Sequence, residues 1–216
     1  MIEAVVFDLD GVLLDSEQLW DEAREHLAKE RGGRWHEHAQ RDMMGMSSRE
    51  WSRYMHETIG LAEPPEEINR EVVERLSASY RERLPVIPGA REAVERLAAR
   101  WPLGLASSSN RELIDLGLEL LGVRHLFKAT VSSEEVPSGK PAPDVYLEAA
   151  RSLGVAPTHS AAIEDSHNGI LAAKAAGMRV IAIPNRHFPP DEHALEQADL
   201  VLDSPAELTA EAVEPR

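Results

Sequence analysis

The sequence predicts an α/β protein: a doubly wound parallel sheet with an all-helical insertion after the first strand. Three observations predict it. The chain opens on a β-branched and aromatic run, Ala4-Val5-Val6-Phe7, of the kind buried on both faces of a parallel sheet. From residue 85 onward, short apolar runs alternate with helical stretches of roughly 10–14 residues. Between these parts, residues 16–84 carry helical periodicity and no strand candidate. The expected division is therefore a sheet domain of residues 1–15 and 85–216, and a helical domain of residues 16–84. A chain of 216 residues is long enough for one sizeable core plus such an insert.

Each element has a local reason. In the insertion, a helix through about Arg31 places Leu19, Ala23, His26 and Leu27 on one face, with Ser16 as its N-cap and Gly32-Gly33 as its stop. A second helix is expected over 47–59. A third, over 66–84, is introduced by Pro64-Pro65 and carries Ile68, Val72, Leu76 and Tyr80 at helical spacing. Beyond it, Pro88-Gly89 opens a helix to Arg100, and 102–106 reads as a strand. Then come a helix over 111–121, a strand near 129–131, a helix over 143–153 and a strand over 160–163. A helix over 168–176 and a strand over 179–183 follow. Leu200 to Leu202 reads as a last strand, and Pro205 starts a short helix.

Composition removes several function classes. The formal net charge is −15, from 38 acids against 23 bases. Such a surface repels nucleic-acid backbones and anionic lipid, so neither is an expected partner. No apolar run is long enough to span a bilayer, and no basic-then-apolar leader opens the chain. With no cysteine there is no disulfide and no thiolate zinc site. A cytoplasmic protein, monomeric or weakly dimeric, is expected.

In doubly wound sheets, ligands bind at the carboxyl ends of the strands. The first strand ends at Asp8-Leu9-Asp10-Gly11, two carboxylates that project to one side. The 102–106 strand ends at Ser107-Ser108-Ser109-Asn110. The loop after the next strand holds Gly139-Lys140-Pro141, and the 160–163 strand ends at Glu164-Asp165-Ser166. Crowded acids need a cation or a proton to settle their repulsion. Carboxylates from two strand ends suit Mg²⁺, which takes oxygen ligands in an octahedron. Hydroxyls and one ammonium suit a phosphate. Lysine is scarce here, with four against nineteen arginines, and the two cations are not interchangeable beside a carboxylate. Plainer roles exist for each residue: Ser107 as a helix cap, Lys140 as a solvated loop charge, Glu164 and Asp165 as an acidic first helical turn. Met43, Met44 and Met46 read as packing of the insert, and His167 as an exposed helix-start residue without a visible partner.

Four motifs in order give the chain a family resemblance. Asp8-Leu9-Asp10-Gly11-Val12, with Asp15-Ser16-Glu17 after it, resembles the first motif of the haloacid dehalogenase-like phosphatases. Ser107 resembles the second motif's hydroxyl, Lys140 in Gly-Lys-Pro-Ala-Pro-Asp the third motif's lysine, and Glu164-Asp165-Ser166 with Asn168-Gly169 the fourth. The resemblance spans essentially the whole chain, the helical insertion corresponding to the family's cap. It implies that Asp8 is the nucleophile and a metal ligand, and that Asp10 is the general acid/base and binds metal through its carbonyl. It further implies that Ser107, with Ser108 beside it, and Lys140 hold the phosphoryl group. Asp165 would complete a Mg²⁺ site with Glu164 close by. The implied partner is a small phosphate ester.

The early helical cap, the Asp15-Ser16-Glu17 turn and the Gly-Lys-Pro-x-Pro-Asp loop resemble the sugar-phosphatase and β-phosphoglucomutase branch, where Arg49 is placed to reach a substrate's distal group. Two departures weigh against the mutase alternative: Trp20 stands where the mutases carry a histidine, and Asn110 where they carry a lysine. The run Ser16-Glu17-Gln18-Leu19-Trp20 is similar to hexose- and hexitol-phosphate phosphatases. Dehalogenation would not need the second acid of Asp8-x-Asp10. Schiff-base chemistry would need a cap lysine, and Lys29 sits at the far end of its helix. The expectation is a Mg²⁺-dependent phosphatase of a small sugar or polyol phosphate; an inactive phosphate-binding relative is the third alternative.

Overall fold

The computed structural model describes residues 1–214. Its sheet has six parallel strands: β1 (Ala4–Phe7), β2 (Leu103–Ser107), β3 (Phe127–Ser132), β4 (Ser160–Glu164), β5 (Arg179–Ala182) and β6 (Leu200–Val201). Their spatial order is β3-β2-β1-β4-β5-β6. Val5 pairs with Leu103 on one side and Ala161 on the other, so β1 is central. The order reverses between β1 and β4. A crevice opens at that switch point, outside the carboxyl ends of the two strands.

Alternation along β1 sends its residues to two layers. Val5 and Phe7 join one hydrophobic cluster together with α5 (Ala90–Ala98) and α6 (Arg111–Leu121). Val6 joins a second cluster on the opposite face, with α7 (Asp144–Leu153) and α8 (His167–Ala175). That second layer is rich in small residues, Ala149, Ala150, Ala162, Ala172 and Ala173 among them, which lets helices approach the strands closely.

The insertion between β1 and α5 is helical throughout its regular structure, as expected: α1 (Glu17–Glu30), α2 (Ala39–Met43), α3 (Ser48–Tyr54) and α4 (Pro65–Glu82). Its detail departs from the sequence reading in two ways. The five-residue α2 is too short to show periodicity. The stretch read as one helix over 47–59 changes from α3 into a π-helical turn at Met55–Ile59, closed by Gly60 at φ 86°. A capping box at Ser47 and Glu50 starts α3. Trp20, Leu27, Trp51, Ile68 and Leu76 of the insertion belong to the same buried cluster as Val5 and Phe7, so the insertion packs onto the first layer and shares its core. No helix among the described residues is long and apolar enough to cross a membrane.

Candidate active site

The loop after β1 is set by apolar anchors. Leu9, Val12, Leu13 and Leu14 are fully buried, and Gly11 turns the chain at φ 80°, a region costly for a residue with a Cβ. Gly11 N donates to Leu14 O at 2.7 Å, and Asp8 N continues the ladder to Ile163 O at 3.0 Å. Asp8 is therefore held in register with the end of β4.

There it meets a buried ion cluster. Lys140 Nζ donates to Asp8 Oδ1 at 2.7 Å and to Glu164 Oε1 at 2.5 Å, and it lies 5.0 Å from the Tyr146 ring centroid. Tyr146 OH donates to Glu164 Oε1 at 2.7 Å. Glu164 Oε2 accepts from the backbone N–H groups of Asp165 and Ser166 at 3.0 and 3.3 Å. Asn185 Nδ2 donates to Asp165 Oδ2 at 3.3 Å. Ligand oxygens of Asp8, Glu164 and Asp165 lie within 4.8 Å of one another. Three carboxylates against one ammonium leave two negative charges unmatched in a buried place, and a divalent cation matches them. The oxygen-only donor set suits Mg²⁺. Glu164 is the most heavily engaged of the three, which leaves Asp8 and Asp165 the freer to bind a cation.

The electrostatics agree. Burial pushes the Asp8 carboxyl well above its ordinary range; Lys140 opposes the rise, while Glu164 and Asp10 add to it. Burial, then Glu164 and Asp8, likewise raise Asp165. Burial alone would lower Lys140, but Asp8 and Glu164 outweigh it and hold the ammonium protonated.

Asp10 lies in a different environment. Its carboxylate accepts from Ser16 Oγ, from Ser109 Oγ at 2.6 Å and, more weakly, from Ser107 Oγ at 3.5 Å. Ser16, expected to cap α1, gives that helix no side-chain cap because its hydroxyl is turned to Asp10. Ser107 is fully buried and accepts from Ser109 N at 3.0 Å. Ser108 and Ser109 line the cavity above it.

That cavity, of about 480 Å³, falls within the ~300–1,000 Å³ typical of small-molecule sites. Asp8, Asp10, Lys140 and Asp165 line its sheet side. Trp20, Arg24, Trp51 and the three methionines 43, 44 and 46 line its helical side, so the methionines are wall as well as packing. Asn110 is buried outside it, donating to Glu134 at 2.8 Å and Asn69 at 3.1 Å. Arg49, expected to reach the substrate, is exposed and not among the lining residues. The reason is helical phase: Ser48, Trp51 and Ser52 form the buried face of α3, and Arg49 points away from it. His167 lines the cavity and finds Asp191 at 3.1 Å, a partner far off in sequence. Sequence reasoning missed Tyr146, Asn185 and Arg24, and had Ser109 only as one of the strand-end hydroxyls, without its bond to Asp10. Asn185, just past β5, was reachable by the strand-end rule; Tyr146 and Arg24 sit on helices and carry no such signal.

Residues 5–183 match the family model described as haloacid dehalogenase-like hydrolase. The chain belongs to that family. It is 36% identical to hexitol phosphatase B of Escherichia coli (strain K12) over 97% of this chain and 95% of that protein. It is 34% identical to the phosphorylated carbohydrates phosphatase of Thermotoga maritima, over 96% of each. The crystal structure of CbbY from Rhodobacter sphaeroides in complex with phosphate superposes with a TM-score of 0.87 at 30% identity, covering 99% of both chains. This haloacid dehalogenase-like hydrolase is a phosphatase.

Two predictions follow from the packing and charge of the site. A Cβ at Gly169 would lie 1.9 Å from Glu164 Oε1. Gly169→Ala would ordinarily favour a helix by ~1 kcal/mol; here it should displace Glu164, loosen Lys140 and lower turnover by ~10²-fold, as ångström-scale misplacement does. Unchanged turnover with a higher urea midpoint would refute this. Glu17 is part-buried, and burial followed by Asp10 raises it from 4.5 to about 7, against Arg24. The unfolded chain ionises Glu17 near its ordinary value, so the folded state binds the extra proton. Its contribution to stability declines as pH rises from about 4.5 to about 7 and stays low above that. Urea titrations of metal-free protein should show Glu17→Gln gaining on the wild type across that window and holding its gain at higher pH. Parallel curves would contradict the assignment.

Proposed function

We propose that the protein is a Mg²⁺-dependent phosphatase of a small sugar or polyol phosphate, acting through an aspartyl-phosphate on Asp8. The observation that carries this reading is the Lys140–Asp8 pair at 2.7 Å inside a buried acid cluster that opens on one cavity, with Asp10 two residues on. The relatives named for hexitol and carbohydrate phosphates support the substrate class.

In this reading, Asp8, the Asp10 carbonyl and Asp165 hold the metal, with Glu164 completing the acidic shell. When bound, the cation cancels the repulsion between an anionic nucleophile and a phosphate dianion. Asp8 attacks phosphorus, and the bond from phosphorus to the sugar oxygen breaks. Asp10 gives a proton to that leaving oxygen, then takes one from the water that cleaves the Asp8–phosphorus bond and releases phosphate. Lys140 and the hydroxyls of Ser107 and Ser108 hold the phosphoryl oxygens, with Glu164 and Tyr146 fixing the lysine. The helical insertion, 16–84, serves as the cap that shapes the sugar end. Asn110, turned into a hydrogen-bonded pocket with Glu134 and Asn69, gives a mutase's second sugar position no help. A cytoplasmic location, and a monomer or weak dimer, go with this reading.

The test is phosphate release, with Mg²⁺, from hexose, pentose and polyol phosphates and from β-glucose 1-phosphate. Release from the sugar or polyol esters, abolished by chelation and restored by Mg²⁺, is the expected result. Conversion of glucose 1-phosphate to the 6-phosphate without release would establish a mutase. Asp8→Asn should fold and lose turnover by ~10⁴-fold or more, because an amide is no nucleophile for phosphorus. Asp10→Asn should slow sugar-phosphate hydrolysis by ~10²–10⁴-fold, and nitrophenyl phosphate far less, since that leaving group needs little protonation. Equal losses on both substrates would rule out the acid role of Asp10.

A further inference from the structure

The helical wall of the cavity holds a cation that the proposed chemistry does not use. Arg24, on α1, is only 5% exposed, yet it lines the same cavity as Asp8 and Lys140. Its guanidinium carbon lies 4.6 Å from the Trp20 ring centroid and 4.8 Å from that of Trp51. The two indoles meet edge to face, at 5.8 Å and 67°, and so hold the guanidinium in one place. Arg24 Nε is buried with no hydrogen-bond partner among the described residues. Glu17 and Asp21 on its own helix act on it as charges, and Glu17 accepts its hydrogen bond from Gln40 Nε2 at 3.3 Å.

Such an arrangement is costly unless something completes it. A buried guanidinium is ordinarily satisfied by a carboxylate or phosphate that matches its planar fork, and an uncompensated buried charge destabilises the fold. Burial accordingly pulls Arg24 down to about 10, against the pull of Glu17 and Asp21. Glu17, Asp21 and Asp10 favour the charged guanidinium but leave Nε without a bond, and a phosphate or carboxylate fits that planar fork better than a lone hydroxyl does. Arg41, exposed on the same wall, adds positive potential to the helical side of the cavity.

We propose that Arg24, clamped between Trp20 and Trp51, binds a second anionic group at the end of the substrate remote from the reacting phosphoryl group. The preferred substrates are then phosphate esters of small sugars that carry a further phosphate or a carboxylate, ahead of neutral sugar or polyol monophosphates. This rests on the phosphatase reading above and sharpens its substrate class.

The experiment compares kcat and KM on three arms: a hexitol monophosphate, a sugar bisphosphate and a phosphorylated sugar acid. The wild type should favour at least one anionic arm over the neutral one. Arg24→Met should reduce the ratio of anionic to neutral kcat/KM by ~10–100-fold, mainly through KM, the loss expected for a charge-assisted hydrogen-bonded pair. Arg24→Lys should recover part of it. The arm that responds identifies phosphate or carboxylate as the recognised group. A wild type that favours the neutral arm, or an Arg24→Met loss equal on all three arms, overturns the proposal and leaves Arg24 as a prop for the tryptophans. Urea midpoints check the fold; if Arg24→Met does not fold, the Arg24→Lys ratio decides. Calorimetric titration of Asp8→Asn with bisphosphate and with monophosphate, with and without Arg24→Lys, tests the anion subsite independently of turnover. Selective binding without phosphate release from any ester would sink the phosphatase reading and keep this one; release without anion selectivity would do the reverse.

Discussion

The contact on which the rest of the site depends is Lys140 between Asp8 and Glu164. Its ammonium is buried and bonded to both carboxylates, so it joins the loop after β3 to the ends of two neighbouring strands. Everything around it serves to keep those charges close. Asp8 and Glu164 sit on adjacent parallel strands, β1 and β4, whose register is fixed residue by residue. Gly11 leaves room for the Asp165 carboxyl, which a Cβ there would approach to 1.8 Å, and Gly169 leaves room for Glu164. A buried network of this kind stabilises only when each member is satisfied. Tyr146, Asn185 and the backbone amides after Glu164 supply partners, and the remaining negative charge is what a divalent cation would balance.

The two sides of the cavity divide the labour. The sheet side offers carboxylates, hydroxyls and one ammonium suited to phosphorus chemistry, while the helical side offers indoles, thioethers and a guanidinium suited to recognition. The sides are also tied to each other. Glu134 of the sheet domain accepts from Ser48 Oγ of α3 at 2.7 Å and from Asn110 Nδ2 at 2.8 Å, and Ser108 Oγ donates to Gly45 O at 3.2 Å. Because the insertion shares its hydrophobic cluster with one face of the sheet, its position is set by core packing as well as by these bonds.

The layout of the fold was legible because hydrophobic periodicity and breakers act locally. The helix expected over 111–121 is α6 residue for residue, and the strands near β1, β2, β4 and β5 ended where a polar cluster or a proline interrupts an apolar run. What escaped were elements without a local signature. The π-helical turn at Met55–Ile59 has the same apolar spacing as an α-helix, and α2 is shorter than one period of the pattern. Ser16 looked like a cap because the residue type suits that role, whereas a carboxylate six residues earlier held its hydroxyl.

By itself the sequence determined the alternating α/β layout, the helical insertion, and the set of acids, serines and lysine delivered to the strand ends. A parallel strand must stop at one edge of the sheet, so a polar residue placed there is committed to that edge whatever its distant neighbours are. Only the tertiary structure decided which side chains meet across the crevice: that Lys140 bridges two strands 156 residues apart in span from Asp8 to Glu164, that Arg49 faces away, and that Arg24 is caught between two indoles. Those outcomes depend on helix phase and on contacts between segments remote in sequence, and periodicity carries no information about either.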